Sequence, residues 1–185
     1  MSGCAGAYPT DRADLWDAVT NADRIPRWFL PIAGDLQVGG RYQLEGNAGG
    51  VVERCDEPVS FALTWEYGPM VSWVDVTLTV TDGGTTLELS HEAPVDPERW
   101  EQFGPGAVGV GWDLGLMGLG LHVESGTPVD HQAAARFRFT PDGIEFVQRS
   151  AAAWAEAAVG DGDEPGPARE AAARTAAAYT VVPED

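Results

Sequence analysis

Residues 60–92 read SFALTWEYGPMVSWVDVTLTVTDGGTTLELSHE, and their period of two decides the fold. Phe61, Leu63, Trp65 and Tyr67 alternate with Ser60, Ala62, Thr64 and Glu66. Val74, Val76, Leu78 and Val80 alternate with Trp73, Asp75, Thr77 and Thr79. Successive side chains on a strand point to opposite faces, so each run is a strand with one apolar face. Asp82-Gly83-Gly84 is a hairpin signal, after which Leu87, Leu89 and His91 return with Glu88 and Ser90 facing away. Short connections of this kind make an antiparallel meander.

The pattern extends toward the N-terminus. Leu36, Val38, Tyr42 and Leu44 alternate with Gln37, Arg41, Gln43 and Glu45, and Gly39-Gly40 predicts a bulge between them. Residues 49–55 form a further strand after the turn GNAGG. Before these, Thr10 or Asp11 caps a helix through about Val19 that buries Leu15, Trp16 and Val19. A short helix or turn, Asn21 to Phe29, brings Ile25, Trp28 and Phe29 inward until Pro31 and Gly34 end it. Residues 1–9 leave room for a short first strand.

Downstream, Pro94 to Gln102 reads as a helical lid or turn. A glycine-rich apolar helix follows over 106–123, with Val110, Leu114, Met117 and Leu121 as one stripe and Trp112, Leu116 and Leu119 as a second flank. At 1.5 Å per residue it reaches about 27 Å, enough to cross a sheet. It is short of the ~20 apolar residues a membrane span needs and carries Asp113, so it is expected to be buried. Residues 126–140 are a linker with room for a short helix. An amphipathic helix over 143–158 presents Ile144, Phe146, Val147 and Trp154, and an alanine-rich helix covers 168–178. This tail is too poor in large apolar residues to fold alone, so 126–185 is expected to pack, as a helical extension, on a domain spanning 1–125.

Composition narrows the function. The chain has 185 residues and a net charge of −18, from 29 acidic groups against 11 arginines and no lysine. Such a field repels a phosphate backbone, so nucleic acid and anionic membrane are poor partners. Cys4 and Cys55 lack ligand spacing, the three histidines do not form a metal set, and neither a metal nor a cofactor is expected. No secretory signal precedes the domain, so a cytoplasmic protein with reduced thiols is expected. GNAGG (46–50) and GPGAVGVG (104–111) lack the lysine of a phosphate loop and read as turns and close helix approach.

The segments WDAVTNADRIPRWF (16–29), GDLQVGGRY (34–42), TWEYG (64–68), TTLELSHE (85–92) and the GW-containing helix (111–123), in this order, resemble the SRPBCC superfamily. Within it they are most similar to the branch of heat-shock protein 90 ATPase activator homologues, also described as polyketide cyclase-like. The resemblance covers about residues 10–124. It implies an α+β, START-like helix-grip fold: a curved antiparallel sheet wrapped around a long C-terminal helix, with a ligand-binding cavity between. It also implies lipid-like, polyketide-like or other natural-product ligands, in some relatives sequestered for self-protection.

Alternation and the helix stripe place Trp28, Phe29, Tyr42, Leu63, Trp65, Leu89, His91, Trp112, Asp113, Leu116 and Met117 around such a cavity. His91 shares the face of Leu87 and Leu89; it either orients a ligand or moves a proton, or is held structurally by a neighbouring carbonyl or carboxylate. Asp113 is a buried ligand contact or base, or else pairs with an arginine such as Arg27 or Arg41 or is simply exposed at the mouth. Three functions stay open: a binder of a hydrophobic or aromatic small molecule, a cyclase- or aldolase-like enzyme with His91 and Asp113 as its acid–base pair, and a chaperone-interacting protein. The first is the expectation, as a monomer or homodimer, because no catalytic set is recognisable.

Overall fold

A computed structural model describes residues 2–182 of the chain. The strands are β1 (Ser2–Tyr8), β2 (Ile32–Gly34), β3 (Arg41–Leu44), β4 (Gly49–Asp56), β5 (Ser60–Tyr67), β6 (Met70–Thr81) and β7 (Gly84–Glu92). They form one curved, seven-stranded antiparallel sheet in the order β1-β7-β6-β5-β4-β3-β2. From β2 to β7 each strand neighbours the next in sequence, so hairpins build the sheet. β1 closes the far edge by pairing with β7, Cys4 opposite Leu89 and Tyr8 opposite Thr85.

The register brings the apolar sets onto one face. Leu63 lies opposite Val74 and Val74 opposite His91; one step along, Phe61, Val76 and Leu89 line up. Val74, Val76, Leu78, Leu87 and Leu89 are buried on it. The face ends before the β6–β7 turn, where Val80 is exposed. Residues 35–40 do not continue a strand. Gly39 takes a positive φ of 83°, open to a residue without a Cβ, and Gly40 donates its N–H to Gln37 O at 2.8 Å. The segment is therefore a loop between β2 and β3, and Val38 is 59% exposed instead of inward.

Helix α1 (Arg12–Thr20) is capped by the Asp11 side chain, which accepts from the Asp14 N–H. Leu15, Trp16 and Ala18 are its buried residues, and Trp16 meets the Phe61 ring edge-on at 5.9 Å. A 3-10 turn (Ile25–Arg27) then brings Trp28 back, its indole N–H donating to Ala18 O at 2.8 Å. The remaining helices are α2 (Pro97–Phe103), α3 (Gly106–Ser125), α4 (His131–Phe137), α5 (Pro141–Gly160) and α6 (Pro165–Thr180).

These elements fall into two compact units. One holds the sheet, α1 and residues 115–129; the other holds 95–114 and the helices after 130. In the first, the second half of α3 is the helix that the sheet grips, giving the α+β helix-grip fold. Glycine makes the approach close: a methyl on Gly118 would stand 2.9 Å from Trp28 O, and one on Gly115 would stand 3.3 Å from the Phe29 ring. The helical unit has a small-residue core of Val110, Val147, Ala151, Trp154, Ala155, Ala158, Ala171, Ala172 and Ala176. In it α6 holds α2: Arg174 Nε and Thr175 Oγ1 each donate at 2.8 Å, to Gln102 O and Phe103 O.

Helix α3 departs from the expected stripe. Val110 is fully buried, but Leu114 and Met117 are half-buried and Leu121 is 51% exposed. The buried positions are Gly106, Gly109, Val110, Gly118, Leu119 and His122. With apolar residues all round, the helix has little amphipathic asymmetry, so its contact side follows where the backbone can come close, at glycine.

Candidate functional site

The polar centre of the sheet face is His91, 7% exposed near the end of β7. Its Nε2 lies 2.8 Å from Ser72 Oγ, diagonally across on β6. Ser72 is also buried, and its hydroxyl donates to Trp65 O at 3.0 Å. The Trp65 ring meets the imidazole edge-on, with centroids 6.2 Å apart. Three strands thus assemble one small polar chain within an apolar surface. A serine hydroxyl meets His91 at Nε2. Burial lowers the imidazole pKa from its ordinary 6.5, which favours the neutral ring.

Around this chain the wall is aromatic and aliphatic. Tyr42, Leu44 and Val52 form a buried cluster, against which Phe29, Leu63 and Trp65 pack while staying half-buried. The Tyr42 hydroxyl donates to Thr64 O at 2.8 Å, and burial pushes its pKa well above the usual phenol range. Leu89 is fully inside, and Trp28, Leu116 and Met117 are half-buried in the same unit. Tyr67 and Met70, opposite each other at the β5–β6 tip, extend the row of Trp65 and Ser72 and are 57% and 51% exposed.

Of the expected site residues, Trp28, Phe29, Tyr42, Leu63, Trp65, Leu89, His91, Leu116 and Met117 belong to the sheet unit; Trp112 and Asp113 belong to the helical unit. Within the helical unit the Asp113 Oδ2 accepts from Ser150 Oγ at 2.5 Å and from Trp154 Nε1 at 3.0 Å. Within the sheet unit Arg41 pairs with Glu66 at 2.6 Å, which holds that carboxyl below the usual range.

Two features escaped the sequence reading. Ser72 lay on the inward face of its strand, and period two alone would have exposed it as a polar residue among Val74, Val76 and Leu78. His122, 1% exposed, is buried in the last turn of α3. It accepts from Arg24 Nε at 3.4 Å, and its Nδ1 lies 2.8 Å from Thr127 O. Arg24 in turn binds Asp14 and Asp17 at 2.7 and 2.9 Å, and that guanidinium keeps both carboxyls low. Among the described residues no cluster of three metal-ligating side chains occurs, and no helix is long and apolar enough to cross a membrane.

The family model described as Activator of Hsp90 ATPase homolog 1-like protein matches residues 9–124. CalU16 from Micromonospora echinospora is similar along most of the chain. Its crystal structure is 30% identical over 83% of this chain and 85% of that one, with a TM-score of 0.66. Its solution structure gives 32% identity, 87% of each chain and a TM-score of 0.71. Two more distant structures share the fold. PFC0360w, an HSP90 activator from Plasmodium falciparum, is 23% identical over 69% of this chain and 96% of that one, with a TM-score of 0.56. DynU16, a protein of the dynemicin biosynthetic locus, is 22% identical over 68% and 48%, with a TM-score of 0.59. No curated protein matches the chain in sequence.

Proposed function

The chain belongs to the Activator of Hsp90 ATPase homolog 1-like protein family, and from that premise we propose that it is a cytoplasmic binder of a hydrophobic or aromatic small molecule. The ligand lies against the sheet face between Trp65, Leu63 and Phe29, with His91 as the polar contact. One observation carries this reading: six large apolar side chains, Trp28, Phe29, Leu63, Trp65, Leu116 and Met117, stay half-buried in the unit that holds the buried His91, with Trp65 against the imidazole. Apolar surface left accessible around a few convergent polar groups is the usual make-up of a small-molecule site. Sequestration of a natural product, as the sequence resemblance implies, is the biological form of the proposal.

Native mass spectrometry of the purified protein tests it, beside the Trp65→Ala variant. A co-purified small molecule, weakened roughly tenfold when the aromatic wall is removed, is the expected result; that ratio corresponds to about 1.4 kcal/mol. Failure of the protein to retain or take up any aromatic compound would sink the reading. Turnover of the bound compound, lost in both His91→Gln and Asp113→Asn, would make the protein an enzyme. Stimulation of an Hsp90-type ATPase without any ligand would make it a chaperone partner.

A further inference from the structure

Both ring nitrogens of His122 have partners that fix its protonation. Nδ1 lies 2.8 Å from Thr127 O, and a carbonyl only accepts, so Nδ1 carries the hydrogen. Nε2 lies 3.4 Å from Arg24 Nε, which only donates, so Nε2 keeps its lone pair. The two neighbours demand the same neutral tautomer. Arg24 is anchored on its other side, where Nη1 donates to Asp14 Oδ1 at 2.7 Å and Asp17 Oδ2 at 2.9 Å. The charged groups facing the ring are thus Arg24, in direct contact, and Asp14 and Asp17 of α1 behind it; from the loop after α3 it meets the uncharged Thr127. The guanidinium keeps both carboxyls low. Between about pH 8 and 5, histidine is the member of this cluster able to change its charge.

We propose that His122 and Arg24 form a proton-sensitive clamp on the aromatic wall of the binding site. A proton and the guanidinium compete for one Nε2 lone pair, so acidification parts α3 from the turn carrying Trp28 and Phe29 and weakens the hold on an aromatic ligand. A second ring proton sets Nε2–H against the Nε–H of Arg24, two donors and two cations at 3.4 Å with no acceptor between them. Arg24 keeps its aspartates, so the α3 side gives way. Position supplies the consequence. Arg24 opens the 3-10 turn, and Trp28 and Phe29 follow it with their rings stacked at 5.3 Å. About one turn before His122 on α3, Gly118 packs on Trp28 O, next to half-buried Leu116 and Met117. The loop beyond α3 adds a backbone tie, the Val129 N–H donating to Arg27 O at 2.7 Å. His122 is a positioning residue, acting on the ligand through Trp28 and Phe29.

The inference rests on the binding reading above, and two measurements keep their failures apart. The first needs no ligand: nitrogen-15 shifts and long-range proton couplings of the His122 ring, followed from about pH 8 to 5. At the upper end a protonated Nδ1 and a bare Nε2 are expected. Protonation of Nε2 on acidification should coincide with a shift of the Arg24 Nε–H resonance and faster hydrogen exchange over 119–129. A protonated Nε2 at the upper end, a ring that stays neutral throughout, or protonation that leaves the Arg24 Nε–H unmoved overturns the clamp. The second is titration with 1-naphthol, uncharged across this window, followed by Trp28 resonances. Wild-type affinity should fall roughly tenfold from the upper end to the lower, within what one linked proton allows. In His122→Gln the amide can serve both neighbours but takes no proton, so the fall should shrink, while any contribution of His91 remains in both proteins. Equal pH profiles overturn the coupling to the site and leave the binding reading in place. Binding of naphthol at no pH counts against the binding reading itself, with the clamp still decided by the first measurement. If His122→Gln misfolds, Arg24→Gln is the second variant: without the competing guanidinium, Nε2 should take its proton at higher pH, and an unchanged midpoint overturns the competition.

Discussion

His91, the polar contact of the proposed site, also bears on folding stability. Burial lowers its pKa below the ordinary 6.5, so the unfolded chain takes up a proton that the folded chain refuses. The sign follows directly. Stability is complete above 6.5 and is lost as pH falls through that value toward the lowered folded one. Subtracting the denaturation curve of His91→Gln from that of the wild type should leave a pH slope in this window alone. A flat difference would mean that the ring titrates alike in both states. The same variant keeps a hydrogen-bonding amide, so aromatic-ligand affinity should drop by roughly 1 kcal/mol. If His91 instead moved a proton in a reaction, turnover would fall about a hundredfold with affinity little changed.

Helix α3 is governed by its glycines at the scale of a whole element. Alanine is the better helix former by about 1 kcal/mol, yet the outcome at two glycines of the same helix should differ in sign. At Gly118 a methyl meets Trp28 O at 2.9 Å, a backbone atom that cannot turn aside. Gly118→Ala should therefore lower stability by about 1–3 kcal/mol, as overpacking does. At Gly120 the nearest atom is Tyr8 Cε1 at 3.8 Å, ordinary contact, so Gly120→Ala should be neutral or raise the melting temperature. Equal effects of the two substitutions in thermal unfolding would remove close approach as the explanation. The same helix shows what periodicity could not supply. With apolar side chains all round, any stripe can be drawn on it, and the one through Val110, Leu114, Met117 and Leu121 ends on an exposed residue.

For the whole molecule the question is how folding is shared between the two compact units. The helical unit is organised around Trp154, which is 7% exposed and donates its indole N–H to Asp113. Trp154→Ala should cost about 3–5 kcal/mol, the usual range for emptying a large buried aromatic. It also leaves Asp113 short of one donor. Hydrogen exchange should then rise over 97–114 and 141–180 while β5 to β7 keep their protection, as expected of separate cooperative units. Loss of protection in the sheet to the same extent would show one cooperative body. It would also support the docking of 126–185 on the N-terminal domain that the sequence suggests.

The sequence by itself determined the local order of the chain: a meander with its apolar face, a capped helix before it, an apolar helix after it and a helical tail. Each of these rests on near-neighbour periodicity or capping, which short-range geometry dictates. His91 among Leu87 and Leu89, and Trp65 beside Leu63, were legible for the same reason. Tertiary structure alone decided the partners. Ser72 reaches His91 across 19 positions, Arg24 reaches His122 across 98, and Asp113 reaches Trp154 across 41. Hydrogen bonds at such separations follow from strand register and from where glycine lets a helix approach, which no local pattern encodes.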